Sequence, residues 1–381
     1  MIPEPYQCRT WAEISLHAAR QNYRAVRNAV REDVKVCCVI KANAYGHGAV
    51  RLAGIYEEEG ADYFAVSNIE EAVQLRAARI VKPILILGYT DPRCAALLAV
   101  NNISQCVYSR DYAAALSENA VREHVTVNIH IKIDTGMGRI GFVCRDGNDA
   151  GLNDAFEACS LPGLLPEGIF THFASADEGE NGRAYTMKQY ECFRGAIGFL
   201  ESKGITFSVR HCANSAAIFD YPETHMDMVR AGIVLYGYAP SDATLRTAPL
   251  APLMTLKTVI DHVKTVKKGE SVSYGRTFTA DKDMRVGTIP IGYADGLWRS
   301  GSANGLCVKV EGQFAAVLGR ICMDQCMIDI TDIPAAKGRS VVTVYGKEDE
   351  ISPVRIAARA GSIPYEVLCA VGERVPRIYT E

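Results

Sequence analysis

Apolar runs of strand length alternate with amphipathic helical stretches through the first two thirds of this chain. Parallel strands require this alternation, because the connection between two of them is long and usually helical. The first helix is predicted at about 15–31, and later helical stretches include 69–79, which follows a capping-box pattern, and 183–203. The candidate strands are 34–41, 62–67, 83–88, 104–108, 126–134, 167–173, 207–212 and 228–236.

Eight strand–helix units predict an α/β fold, the (β/α)8 TIM barrel, with the doubly wound open sheet as the competing topology. From about residue 250 the pattern changes to short β-rich runs separated by turns, and a helical period returns only near 353. We therefore expect two domains, a barrel at 1–245 and a mostly β domain at 246–381. The β-rich runs are 256–263, 284–291, 306–310 and 341–345.

Composition excludes several classes of partner. The 381 residues carry a formal net charge of -3 without a basic block, which argues against nucleic acid and membrane surfaces. No apolar run reaches the roughly 20 residues that cross a bilayer, and the first residues lack the apolar centre of a signal peptide, so we expect a cytoplasmic protein. The 13 cysteines are odd in number and lack paired ligand spacing, which predicts reduced thiols and no metal site.

Reactive side chains follow several of the predicted barrel strands, where enzymes of this fold carry their chemistry. Lys41 ends the apolar run 34–40, and Gly46 and Gly48 predict a sharp turn after it. Taken alone, each residue at this rim also has a structural interpretation: His172 as a core histidine, Arg139 as a surface turn residue, Arg230 as the ion-pair partner of Asp227. The rim residues are Lys41, Asp134, Arg139, His172, Ser215 and Arg230.

A set of motifs extends over both predicted domains and resembles the bacterial alanine racemases, which depend on pyridoxal 5'-phosphate (PLP) and have fold type III. The first is Val-Ile-Lys-Ala-Asn-Ala-Tyr-Gly-His-Gly at 39–48, which resembles the PLP attachment segment of that family. The other matching segments, in the family's order, are 132–141, 229–237, 272–275, 289–296, 319–324 and 363–367.

The resemblance implies a two-base racemisation of alanine. Lys41 would hold PLP and act on one face of the substrate, and Tyr274 of the partner subunit would act on the opposite face. Two acid/base groups are needed because the proton leaves one face of the α-carbon and returns to the other. His172, linked to Arg230, would support the tyrosine, and Arg230 would face the pyridine nitrogen. A homodimer with shared active sites follows from this scheme.

The resemblance also assigns the remaining site residues. Arg139 would bind the substrate carboxylate, Lys132 matches a lysine that is carbamylated in some members, and Met323 and Tyr293 would favour a small amino acid. The implied function is alanine racemisation, which supplies D-alanine for peptidoglycan; the alternatives are a serine/alanine racemase of broader specificity and a barrel-type PLP amino-acid decarboxylase. The cofactor-binding residues implied around the phosphate are Tyr45, Ser215, Gly232, Ile233 and Tyr365.

Overall fold

The structure is a computed structural model that describes residues 8–145, 149–244, 246 and 248–381. The chain forms two compact units. The barrel unit comprises Ala19–Ala44 and Ala49–Ala251, and the β-rich unit comprises the residues up to Ala18, Tyr45–Gly48 and Pro252–Glu381. The domain limits 1–245 and 246–381 stay a prediction. No helix among the described residues is both long and apolar enough to cross a bilayer.

All eight predicted barrel strands are present and pair in parallel. Most of their residues are buried, because helices cover the outer face and side chains fill the centre, although Leu165 in the sixth strand is exposed. A short strand, Phe142–Val143, pairs with the end of the fifth. The strands are Lys35–Val39, Tyr63–Val66, Ile84–Ile86, Ile103–Val107, Val127–Asp134, Leu164–Phe170, Val209–His211 and Met228–Ala231.

Pairing between the first and last strands closes the barrel. Met228–Ala231 pairs in parallel with Lys35–Val39 on one side. On the other side, the Arg230 amide donates to the Ala213 carbonyl at 3.0 Å, next to the strand Val209–His211. The predicted (β/α)8 barrel is therefore confirmed, and the open doubly wound sheet is wrong because its edge strands would not meet.

Helices connect the barrel strands as the sequence predicted. Leu16–Ala29 and Glu180–Ser202 match the predicted first and last long helices within three residues at each end. At Ile69–Ala77 the Asn68 side chain accepts from the Glu71 amide at 3.0 Å, which caps the helix. The other helices of this unit are Ala49–Glu58, Ala95–Val100, Arg110–Arg122, Ala150–Cys159 and Ser215–Asp220.

The β-rich unit contains one nine-stranded sheet and a two-stranded ribbon, Ser271–Val272 with Phe278–Thr279. The predicted strand 256–263 is two strands, because a turn at Ile260 and Asp261 interrupts it. Two helices, Pro353–Ala360 and Pro364–Cys369, complete the unit. The strands of the large sheet are Thr10–Ser15, Met254–Val259, His262–Val266, Met284–Ile289, Cys307–Val310, Gln313–Leu318, Cys326–Asp329, Val341–Tyr345 and Arg377–Thr380.

Candidate active site

Lys41 begins a left-handed turn directly after the first barrel strand. Ala42, Asn43 and Ala44 have φ values of 51°, 52° and 53°, and Tyr45 continues at 52°. Residues with a Cβ pay about 1–2 kcal/mol each for this conformation, so the turn is strained. The predicted turn thus begins before the glycines, on four residues that lack their conformational freedom.

Side-chain hydrogen bonds hold this turn in place. The carboxylate of Glu71 accepts from the Ala42 amide at 2.6 Å and from the Ser67 amide at 2.7 Å. Asn43 accepts from the Ala49 amide through its side-chain oxygen at 2.8 Å. These bonds compensate for the backbone strain at the residue that follows Lys41.

Arg230 lies buried within the barrel and makes four hydrogen bonds. Its guanidinium donates to Nδ1 of His211 at 2.8 Å and to Nδ1 of His172 at 3.2 Å. It also donates to the carbonyl oxygens of Thr171 at 2.8 Å and Cys212 at 3.1 Å. Burial lowers the pKa of Arg230 to about 10, which leaves it charged at neutral pH. Asp227, its alternative partner, pairs with Arg210 at 2.7 Å.

His172 is a neutral imidazole. Burial and the positive charges of Arg230, Lys132, Arg139 and Lys41 hold its pKa well below the usual range. Because arginine can only donate, Nδ1 of His172 is the acceptor and its proton resides on Nε2. The imidazole therefore presents one N–H donor from the side opposite to Arg230.

Lys132 lies in the same interior. Its amine donates to the Ile133 carbonyl at 2.9 Å and lies 5.4 Å from the centre of the Phe170 ring. Burial, with further effects from neighbouring charges, lowers its pKa from 10.5 to about 7. A large fraction of this amine is therefore neutral, and hence nucleophilic, near neutral pH.

The loop that carries Arg139 follows the strand Val127–Asp134. Asp134 accepts from the amides of Gly136 and Gly138, both at 3.0 Å, and these bonds fold the loop back on the strand end. Arg139 is exposed, in contrast to the buried Lys132. An exposed guanidinium near this rim can bind a carboxylate in a bidentate manner.

A hydrogen bond joins Gly232 and Ser215 in the barrel unit. The Gly232 amide donates to Oγ of the buried Ser215 at 2.9 Å, which leaves the hydroxyl proton to donate to an anion. Ile233 follows and is fully buried. An amine at Lys41, a hydroxyl at Ser215 and a guanidinium at Arg230 are the groups that an aldehyde, a phosphate and a pyridine nitrogen require. The residues present therefore fit PLP.

The remaining predicted residues lie in the β-rich unit. The rings of Tyr45 and Tyr365 lie 6.0 Å apart, and burial raises the pKa of Tyr45. Tyr274, in a turn after Ser273, is 66% exposed, and Met323 is 53% exposed. Exposure of this extent leaves a phenol and a thioether available to another molecule.

Asp295 holds the loop that carries Tyr293. Its side chain is fully buried and accepts from Arg9 at 2.6 Å, from Arg374 at 2.8 Å and from the Gly292 amide at 3.0 Å. Two arginines on one carboxylate fix the geometry of the loop in the β-rich unit.

Several residues around these side chains were missed from the sequence. His211 and His130 are buried histidines on barrel strands, and Glu167 lies beside them. The signal for His211 was its place at the end of a predicted strand, as for His172. Glu71 gave no signal, because its role depends on the Ala42 amide, which is distant in sequence. Asp295 lies in the matching segment 289–296, but its role depends on Arg9 and Arg374, which the motif does not indicate.

Known proteins resemble the chain along nearly its whole length. The family models described as alanine racemase, N-terminal domain, and alanine racemase, C-terminal domain, match residues 14–240 and 253–379. An alanine racemase of Desulfovibrio desulfuricans is 46% identical over 375 residues, with 97% of this chain and 98% of the relative covered. An alanine racemase of Clostridium perfringens is 45% identical over 374 residues, which cover 97% of this chain and 95% of the relative.

Solved structures give the same result. An alanine racemase of Clostridium difficile has a TM-score of 0.93 at 40% identity and covers 98% of this chain and 96% of its own. An alanine racemase of Bacillus anthracis, determined with bound L-Ala-P, has a TM-score of 0.90 at 34% identity. The match covers 99% of this chain and 96% of the Bacillus anthracis chain. Both units therefore have counterparts in single known proteins.

Proposed function

The chain belongs to the alanine racemase family, a family of PLP-dependent isomerases, and on that premise we propose that it interconverts L-alanine and D-alanine. The observation that carries the proposal is the arrangement in the barrel unit: Lys41 after a buried strand, with the charged Arg230 bonded to the neutral His172. PLP, when bound, delocalises the negative charge that remains after the α-proton of an amino acid is removed.

Lys41 and the partner subunit's Tyr274 are the two acid/base groups in our proposal. They act from opposite faces of the α-carbon, because inversion requires a proton to leave one face and return to the other. The N–H of His172 at Nε2 supports this role, since it can donate to a phenolate oxygen and so favour the deprotonated tyrosine. Arg230 keeps its own protons at neutral pH, so it would offer the pyridine nitrogen of bound PLP a hydrogen bond rather than a proton.

The other residues position the reactants. We assign Ser215, Gly232 and Ile233, together with Tyr45 and Tyr365, to the phosphate of PLP. Arg139 binds the substrate carboxylate, and Tyr293 and Met323 limit the side chain to a small one.

The biological setting is part of the proposal. A homodimer in the cytoplasm would supply D-alanine for peptidoglycan. The dimer follows from the role proposed for Tyr274, whose phenol would act in the site of the other subunit, and the exposure of this residue supports that role.

The reaction is tested by incubating the PLP-loaded enzyme with L-alanine in deuterium oxide. We expect deuterium to enter at the α-carbon while D-alanine accumulates to an equal concentration, because the two enantiomers have equal free energy. A decarboxylase would release carbon dioxide, and a PLP-binding protein without catalytic activity would neither exchange the α-hydrogen nor release carbon dioxide. L-serine serves as the comparison substrate, and serine turnover equal to that of alanine would indicate the broader racemase. Absence of both exchange and inversion in a PLP-loaded sample would refute the proposal.

A further inference from the structure

A line of hydrogen bonds leads from Arg230 through the barrel interior to a carboxylate. Arg230 donates to Nδ1 of His211 at 2.8 Å, and Nε2 of His211 lies 2.9 Å from Nδ1 of His130. Nε2 of His130 lies 3.3 Å from Oε2 of Glu167, which also accepts from Oγ of Ser104 at 2.6 Å. We call His211, His130 and Glu167 the Arg230 relay.

The chemistry of the two ends fixes every proton in this line. Arg230 can only donate, so Nδ1 of His211 accepts and its proton is on Nε2. That proton is donated to Nδ1 of His130, whose own proton is then on Nε2 and points to the carboxylate of Glu167. Both histidines are thereby held neutral, each in one tautomer, and all the donors point from the arginine towards Glu167.

The relay gives a buried cation its connection to a negative charge. The four groups bonded directly to Arg230 in the described residues are two imidazoles and two carbonyl oxygens, all neutral. Burial tends to raise the pKa of Glu167, but the hydrogen bonds from His130 and Ser104 outweigh it and lower the pKa to about 2. Glu167 is therefore ionised across the physiological range, and hydrogen bonds in series polarise one another in a medium of low dielectric.

The surrounding backbone is shaped to hold the relay. A Cβ at Gly168 would lie 2.4 Å from Nδ1 of His130, so only glycine leaves room for that ring. The ring of His211 stacks on Phe170 at 4.9 Å between centroids and 7° between planes. Both imidazoles are thus fixed in orientation by neighbours that take no part in the hydrogen bonding.

We propose that His211, His130 and Glu167 are positioning residues that orient Arg230 and balance its charge from the far end of the relay. The inference rests on the proposed racemase function, in which Arg230 faces the pyridine nitrogen of PLP. Glu167 then tunes how strongly the arginine polarises the cofactor, although the carboxylate touches neither substrate nor cofactor.

The first test reads the protons directly and does not depend on turnover. Nitrogen-15 NMR of the PLP-loaded enzyme labelled at histidine distinguishes protonated from unprotonated ring nitrogens. We expect His211 and His130 to carry one proton each, on Nε2, as the hydrogen-bond geometry requires. A proton on Nδ1 of His211, or a doubly protonated ring at neutral pH, would overturn the relay even if the enzyme racemises alanine.

The second test removes the charge while keeping the shape. Glu167→Gln retains an oxygen that accepts from His130, so the tautomers should survive, whereas kcat should fall about tenfold with little change in KM, because one charged hydrogen-bond acceptor is lost. The pH dependence of the visible absorbance of the bound cofactor should shift in the same variant. A purely structural role for Glu167 would leave this absorbance profile unchanged.

Two further variants complete the design. Gly168→Ala displaces the His130 ring but leaves the chemical identity of all three relay residues unchanged, and it should reproduce the loss in kcat. Glu157→Gln is the control: it removes the charge of an exposed carboxylate on a helix, and its kcat should match that of the wild-type enzyme. A Glu167→Gln enzyme with wild-type kcat and absorbance profile would refute the proposal. Failure of the racemase function would appear differently, as absence of α-hydrogen exchange in the wild-type enzyme with the tautomers intact.

Discussion

Lys41 is the residue on which retention of the cofactor depends in our proposal. Lys41→Ala should abolish both the visible absorbance of bound PLP and racemisation, because no other amine would replace it after the first barrel strand. Absorbance spectra after dialysis against PLP-free buffer, with a racemisation assay on the same samples, measure both effects. Lys35→Ala changes an exposed lysine at the start of the same strand and should leave both unaffected. Full absorbance and activity in Lys41→Ala would reject the assignment.

Tyr274 is the second base, and its removal should separate exchange from inversion. Tyr274→Phe should keep the cofactor absorbance and lower racemisation about a hundredfold or more, since one acid/base group is lost. Because both enantiomers have equal free energy, kcat/KM remains equal in the two directions, and the asymmetry appears in α-hydrogen exchange: one enantiomer continues to exchange through Lys41. Proton NMR in deuterium oxide measures this, with Tyr89→Phe as an exposed control. Unchanged rates would show that the two-base scheme is wrong.

Lys132 has the reactivity that carbamylation requires. Its pKa of about 7 lies below the ordinary value of 10.5, so the neutral amine that attacks carbon dioxide becomes the major form above pH 7 rather than above 10.5. We expect native mass spectrometry in bicarbonate to show the added mass of one carbon dioxide, increasing from pH 6 to pH 8. Lys132→Gln should lack it. An unmodified amine at Lys132 at pH 8 would refute the carbamylation hypothesis.

At the scale of elements, the left-handed turn after Lys41 depends on one helix. Glu71, in the first turn of Ile69–Ala77, accepts from two amides, one of them at Ala42 within the strained turn. Glu71→Ala should lower the free energy of unfolding by about 1 kcal/mol and also reduce kcat, because the position of Lys41 is no longer fixed. Urea unfolding and steady-state kinetics measure the two effects.

Glu70 provides the matched control for this prediction. It is an exposed acidic residue in the same helical turn, so Glu70→Ala changes the interaction with the helix dipole in the same way. It should preserve kcat. Equal losses in Glu70→Ala and Glu71→Ala would indicate a general effect on the helix, with no specific role for the turn.

Burial explains much of what the sequence could predict, although two short and mostly buried strands, Thr10–Ser15 and Cys326–Asp329, were also missed. Most residues of the barrel strands are buried, so most of these strands appear as apolar runs, with Leu164–Phe170 and Val209–His211 as the less regular ones. Gln313–Leu318 and Arg377–Thr380 are largely exposed or half-buried, and their weak pattern was missed. Ala42–Tyr45 could not be predicted, since alanine and tyrosine carry no preference for left-handed backbone and the conformation is imposed by partners such as Glu71.

At the scale of the whole molecule, the predicted site residues were those that follow strands, because the fold brings strand ends together wherever they occur in the sequence. Lys41, His172 and Arg230 could be placed at one rim in this way. The Arg230 relay could not be predicted from the sequence, because His130 and His211 are 81 residues apart and both lie inside the barrel. Their pairing depends on the register of strands around the barrel, which an apolar pattern does not specify.

The shared active site makes a prediction about mixtures of inactive enzymes. Lys41→Ala and Tyr274→Phe should each be nearly inactive alone, but a hybrid dimer contains one site with Lys41 from one subunit and Tyr274 from the other. Equal amounts, unfolded and refolded together, should recover about a quarter of the wild-type sites, because half of the dimers are hybrids with one intact site each. Racemisation assays before and after mixing measure this, and mixing Lys41→Ala with Lys41→Ala/Tyr274→Phe is the control that should recover no activity.

The activity recovered in the hybrid mixture is expected to decline on dilution as dimers dissociate. No recovery in mixtures shown by native mass spectrometry to contain hybrid dimers would mean that each subunit uses its own tyrosine, and the exposed position of Tyr274 would then need a different explanation.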